Sequence, residues 1–207
     1  MALETIHSAG DAAGLAAMIS RAAEQRGDAK RGPAPVERWN PPFCGNIDME
    51  IRADGTWFYM GTPIGRAPLV RLFSTVLRKD EDGQTYLVTP VEKVAIKVAD
   101  APFIAVEMIV TEKEGEPLLT FRTNVGDVVE IGEDHPLRFE IAGENNELKP
   151  YILVRGRLEA LVSRALMYDL VACGEIVDMD GRAMFAVRSG KSVFAVMPAD
   201  ELEALSQ

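Results

Sequence analysis

Three Asp-Gly dipeptides, Asp54-Gly55, Asp82-Gly83 and Asp180-Gly181, stand at the borders of β-prone segments. Asp-Gly readily adopts the positive φ values that tight hairpin turns need, so a chain punctuated this way is committed to strand pairs. Ahead of the first turn, Ile47, Met49 and Ile51 alternate with Asp48, Glu50 and Arg52, a period of two that predicts a half-buried strand, and TWFYM returns after it. QTYLVTP, KVAIKV, FIAVEMIV, LLTFRT, VVEI and LRFEI extend the pattern, and RAMFAVRS and SVFAVM follow the last turn.

Helical spacing interrupts the strands. Within residues 11–26, Leu15, Met18, Ile19 and Ala22 predict an amphipathic helix, and KRGPAPVERWNPP, residues 30–42, then predicts a basic, Pro-rich linker. In RAPLVRLFSTVLR, Leu69, Val70, Leu72, Phe73, Val76 and Leu77 form one broad apolar face, with Pro68 in the first turn. YILVR leads into RLEALVSRALMYDLVAC, where Leu158, Leu161, Val162, Ala165 and Leu166 again predict a helix, and PADELEALSQ predicts a short terminal one. The order helix, Asp-Gly turn, strand, strand therefore occurs twice. A gapless shift of 98 residues, shown by 180 − 82, pairs Asp82-Gly83 with Asp180-Gly181, Leu87 with Phe185, Lys93 with Lys191, Ile96 with Phe194 and Val98 with Val196. A degenerate duplication and a chance likeness of two helix-hairpin units both account for it.

The expected class is α+β: an N-terminal helix and linker over residues 1–42, then two packed β-rich portions, 43–100 and 101–207, each a curved antiparallel sheet with one amphipathic helix. With 22 basic and 32 acidic residues in 207, the net charge of −10 repels a phosphate backbone or an anionic bilayer, which argues against nucleic-acid and membrane partners. The first residues carry acids early and never reach a long apolar run, so neither a secretory signal nor a membrane span is expected. Cys44 and Cys173 are far apart with no CxxC spacing, which fits a cytoplasmic protein without disulfides.

No metal site is expected: His7 and His135 are isolated, and the acidic turns KDEDG and EDHP lack the ligand alternation of a calcium loop. No cofactor motif is present either. MGTPIGR, residues 60–66, runs from a strand into a helix without GxxxxGK[ST] or GxGxxG; it reads as a connection fixed by Pro63 and two glycines, or as a place where backbone N–H groups and Arg66 meet an anion. Arg66, Arg71, Arg122 and Arg155 lie in or beside apolar segments, where a guanidinium needs either an internal acid or an anionic ligand. Asp48, Glu92, Glu107 and Asp169 are candidate internal partners, and Asn124 adds an uncharged donor after LLTFRT. Cys44 and His135 could serve a thiol hydrolase if they met; the alternative is a packed cysteine and a surface-turn histidine.

The run NPPFCGNIDMEIRADGTWFYMGTPIGRAPLVRLFSTVLRKDEDGQTYLVTPVEKVAIKVADAPFIAVEM, with LTFRTN, DHPLR and PYILVRGRLEALVSRALMYDLV, resembles a proteobacterial family of uncharacterised proteins classed as a domain of unknown function. The likeness covers roughly residues 39–173. It implies a small cytoplasmic protein with two related β-rich portions and a link to signal transduction, and it brings no catalytic residue or cofactor. The expectation is a noncatalytic binding module that recognises a small anionic molecule or a partner segment, at a groove between the portions, through Arg66, Arg71, Arg122, Asn124 and Arg155. A Cys/His hydrolase and a protein-interaction scaffold are the alternatives. Homo-oligomerisation is favoured because sheet edges in a small β-rich chain need covering.

Overall fold

The computed structural model describes residues 10–24, 33–143 and 147–205; His7, residues 25–26 of the expected helix and residues 30–32 of the expected linker lie outside them. The chain is mostly β, with few helices, and divides into two compact units. One comprises Met1–Pro102 with Gly156–Leu158, the other Phe103–Arg155 with Glu159–Gln207.

In the first unit, α1 (Ala12–Glu24) starts at Asp11, whose carboxylate accepts the Gly14 N–H at 2.7 Å and so satisfies one of the helix's orphan donors. Leu15, Ala16 and Ile19 are buried, and the helix packs on α2 (Ala67–Thr75). The strands are β1 (Phe43–Ile51), β2 (Trp57–Tyr59), β3 (Thr62–Pro63), β4 (Leu77–Lys79), β5 (Thr85–Val88) and β6 (Lys93–Val98). They form one sheet in the order β3-β2-β1-β6-β5-β4. Met49 and Ile51 of β1 are buried while Asp48 and Arg52 face solvent, and Phe73 of α2 stacks on Trp57 with ring centroids 6.3 Å apart.

The second unit contains β7 (Phe103–Lys113), β8 (Glu116–Thr123), β9 (Val128–Glu130), β10 (Leu137–Ala142), β11 (Glu147–Arg155) and β12 (Leu158–Val162). Their order is β10-β11-β12-β7-β8-β9. After α3 (Arg164–Ala172), β13 (Gly174–Met179), β14 (Arg182–Ser189) and β15 (Ser192–Pro198) form a separate three-stranded sheet, and α4 (Ala199–Leu205) follows.

Three expectations are corrected here. Neither large sheet is wholly antiparallel: β1 pairs with β6 in parallel, and β12 with β7. A hairpin supplies only one neighbour to β1, so a later strand completes the other side, and intervening elements provide the crossover that parallel pairing requires. Secondly, residues 158–162 are strand rather than helix. Leu158, Ala160 and Val162 are buried and alternate with half-buried Glu159 and Leu161, so this segment satisfies both periods, and pairing with β7 and β11 selects the period of two.

The third correction concerns the gapless alignment of the repeat, not the likeness of the two β-rich portions. Both portions run from a helix into an antiparallel meander, α2-β4-β5-β6 and α3-β13-β14-β15. The gapless shift does not carry through the ladders, however. Lys79↔Thr85 encloses residues 80–84, whereas Met179↔Arg182 encloses only Asp180 and Gly181, at φ 56° and 82°. Ile96 pairs with Thr85, yet Phe194, its partner in the shift, pairs with Val187. The second meander has tighter turns and longer strands.

Two polar devices fasten these elements. Arg78 on β4, 8% exposed, donates to the carbonyls of Val36 and Trp39 at 2.8 and 2.7 Å, pinning the segment before β1. Asp80 receives Arg78 Nε at 2.6 Å and Lys93 Nζ at 2.7 Å. Partial burial alone raises the Asp80 carboxyl, but the hydrogen bonds from Arg78 and Lys93 outweigh it and hold the group below the ordinary carboxylate value. In the second unit, the buried Ser189 hydroxyl donates to Ile131 O at 2.8 Å and accepts Leu119 N–H at 3.0 Å, joining the small sheet to the large one.

Asp80→Asn is expected to cost about 2 kcal/mol at neutral pH, because Arg78 and Lys93 lose their shared anion. A depressed carboxyl stabilises the fold above its unfolded value near 3.9 and loses that contribution as pH falls through its folded value, so the gap between wild type and variant in urea midpoints should close with acidification. A gap constant from pH 7 to 3 would assign the effect to packing instead. Ser189→Ala leaves a buried donor and acceptor without their partner and should cost about 2 kcal/mol. A variant within about 0.5 kcal/mol of wild type in denaturant unfolding would show that the hydroxyl is not a fastening.

Candidate functional site

The five candidate residues meet different fates. Arg122 on β8 lies opposite Glu107 on β7, and its Nε donates to Glu107 Oε2 at 2.6 Å on a face where both side chains are about half exposed. Such a cross-strand pair contributes at most about 1 kcal/mol and leaves little unmatched charge. Arg155 at the end of β11 pairs with Asp127 and lies 4.8 Å from the Phe103 ring centroid. Asn124 behaves as an added rung of the sheet: its N–H donates to Ile104 O at 2.8 Å, and its Oδ1 accepts Ile104 N–H at 3.0 Å. Arg66, the residue before α2, and Arg71, within it, are both exposed, not embedded among apolar groups, and neither has an ion-pair partner among the described residues.

Of the acids expected to match these arginines, Glu107 pairs with Arg122. Asp48 and Asp169 are exposed, and Glu92 is buried in the turn where Thr89 receives its N–H. Asp127 was missed because its position depends on the tight turn at Gly126, φ 98°, which folds Thr123 and Asp127 together.

The thiol constellation is not assembled by any contact that involves its members. Cys44 is exposed, not packed inside, and its Sγ donates to Pro42 O at 3.5 Å. His135 is half-buried, and its Nδ1 lies 2.9 Å from Leu153 O; a carbonyl only accepts, so the proton resides on Nδ1. Cys173 is also exposed at the residue level, yet partial burial of its thiol and the nearby Asp169 charge push it up, away from the thiolate form. Among the described residues no group of three or more His, Cys, Asp or Glu is arranged to hold a metal ion.

Arg66 borders a cleft of about 350 Å³ in the first unit. Its construction follows from the local sequence. After Tyr59, Met60 and Gly61 take φ 49° and 71°, which turns the chain back into β3, where Tyr59 pairs with Thr62. Met60 N–H then donates to Asp48 O and Ile64 N–H to Trp57 O, both at 2.8 Å, so the loop is tied down at each end. Those bonds, and the missing N–H of Pro63, leave little of a backbone anion cradle, and the positive charge comes from the Arg66 side chain. Ala13 of α1, Met60, Ile64 and Leu69 supply apolar walls. Tyr59 is 7% exposed; burial, with the charges of Asp11 and Asp48, raises its phenol, which therefore remains a neutral donor. Asp11 also lines the cleft, with one carboxylate oxygen committed to Gly14 N–H.

Two larger clefts differ in character. One of about 430 Å³ in the first unit carries Glu50, Lys79, Lys97 and Asp100, and one of about 460 Å³ in the second carries Lys113, Glu114, Glu116, Glu133 and Lys191. Both carry several charges of either sign, whereas the Arg66 cleft sets one guanidinium and one carboxylate, that of Asp11, in a mainly apolar lining. Of its walls, sequence reasoning had named Arg66 and the Met60–Arg66 loop; the contribution of α1 depends on tertiary packing and has no local signal.

No helix among the described residues is long and apolar enough to cross a membrane. No curated protein matches the chain. A crystal structure of a DUF1285 family protein from Silicibacter pomeroyi DSS-3 is 46% identical, with a TM-score of 0.83 over 95% of this chain and 100% of the other. Another, from Shewanella baltica OS155, is 28% identical over 60% of this chain and 90% of that one, with a TM-score of 0.47. Residues 34–101 match the N-terminal domain of unknown function DUF1285, and residues 102–196 match the C-terminal domain of the same protein family of unknown function. Two consecutive domain matches and a relative aligned along nearly the whole length agree: the chain belongs to the DUF1285 family.

Proposed function

We propose that this chain is a noncatalytic binding module, acting in the cytoplasm in signal transduction, that recognises a small anionic ligand at the Arg66 cleft. One observation carries the reading: Arg66 stands beside a cleft with no carboxylate partner among the described residues, whereas Arg122 and Arg155 are neutralised by Glu107 and Asp127. A guanidinium held at a concave, partly apolar surface is a stronger anion receptor than one free in water, because the local dielectric is lower and the fork geometry suits carboxylate or phosphate oxygens. Arg71, within α2, is not among the residues lining the cleft, and the partners of Arg122, Asn124 and Arg155 support structural duties for those three. The catalytic reading has no equivalent support, since Cys44 and His135 each bond to a main-chain carbonyl.

A thermal-shift screen of nucleotides, acyl phosphates and carboxylates should yield at least one ligand that raises the midpoint by roughly 5–10 °C at a hundredfold excess over Kd. Arg66→Ala should abolish that shift, and Arg122→Ala should retain it. Flat responses across the screen, or a shift indifferent to Arg66→Ala, would contradict the reading.

A further inference from the structure

We infer that the ligand of the Arg66 cleft is an amphiphile, a small apolar body carrying a single carboxylate; this rests on the anion-binding reading above and specifies its chemistry. The charged lining is sparse: Arg66 is the basic group, and Asp11 is turned to use as a helix cap through Gly14 N–H. A second phosphate or carboxylate would find no second cation on these walls and would face the Asp11 charge instead. The remaining surface is what an alkyl or aryl group seeks. Ile64 and Leu69 are half-buried, and Met60 is 58% exposed despite its size, leaving apolar area that a ligand would remove from water.

Volume sets the size. At about 30 Å³ for each water-sized unit, a cleft of 350 Å³ admits roughly a dozen non-hydrogen atoms. A medium-chain or arylalkyl carboxylic acid is of that size.

Calorimetric titration of the full chain with butanoate, hexanoate, octanoate and decanoate, each below its micelle concentration, tests the assignment, with 1-octanol as the neutral control. Affinity should rise about fourfold for each added methylene and level off once the chain fills the cleft. Octanol should bind at least tenfold more weakly than octanoate, and Arg66→Ala should remove that preference. Met60→Asn keeps a residue tolerant of positive φ at an exposed position, so it should fold normally and weaken octanoate several-fold while leaving butanoate little changed. An Arg66-dependent affinity independent of chain length would overturn the amphiphile and preserve the anion reading. Octanol binding as tightly as octanoate, or no binding by any carboxylate while another anion in the screen binds through Arg66, would also overturn it. Silence from every anion tested would bring down both.

Discussion

Each large sheet is held together by one parallel ladder between strands distant in sequence, β1 with β6 and β12 with β7. These pairings place the most non-local contacts at the middle of each sheet, and every hairpin extends outward from them. In the first unit the β1-β6 ladder fixes β2 on its other side, and with β2 the Tyr59–Thr62 turn that shapes the Arg66 cleft. The chain enters α2 directly after this turn, so the position of Arg66 is inherited from the sheet. Loss of the parallel register would therefore be expected to disturb the cleft without touching any residue that lines it.

Charge matching explains why four similar arginines behave differently. Arg122 lies opposite Glu107 on the neighbouring strand, Arg155 is met by Asp127 from the turn between β8 and β9, and a paired guanidinium there is a structural element. Arg66 precedes a helix that contains no acid, so local sequence gives it no partner. The deepest of the guanidiniums described above is Arg78, which the apolar context of VLRK conceals and which serves two carbonyls and Asp80. Embedding in an apolar run was thus a poor guide to ligand binding, because strands place alternate residues on opposite faces and an arginine in such a run is often the outward one.

What could be read locally was the set of strands and their turns. Ile47–Met49–Ile51 alternates over a few residues, and Asp180-Gly181 forms its turn from its own backbone preference. The boundary at LEALV was illegible because Leu158, Leu161 and Val162 fit a helix as well as Leu158, Ala160 and Val162 fit a strand, and only the pairing with β7 and β11 decides. The gapless repeat failed for a related reason: residue identities align the Asp-Gly turns, but the hydrogen-bond register depends on how many residues each loop encloses. At the cleft, Arg66 and its loop were visible, while Tyr59, Leu69 and the start of α1 became part of the same feature only through packing.

Central to the proposal is recognition of a carboxylate by the Arg66 guanidinium beside an apolar wall. A crystal structure of the full chain grown with octanoate addresses this directly. The account predicts the carboxylate about 2.7–2.9 Å from Arg66, with its alkyl chain against Ile64 and Leu69. Octanoate bound elsewhere, with the Arg66 cleft filled only by solvent, would contradict it.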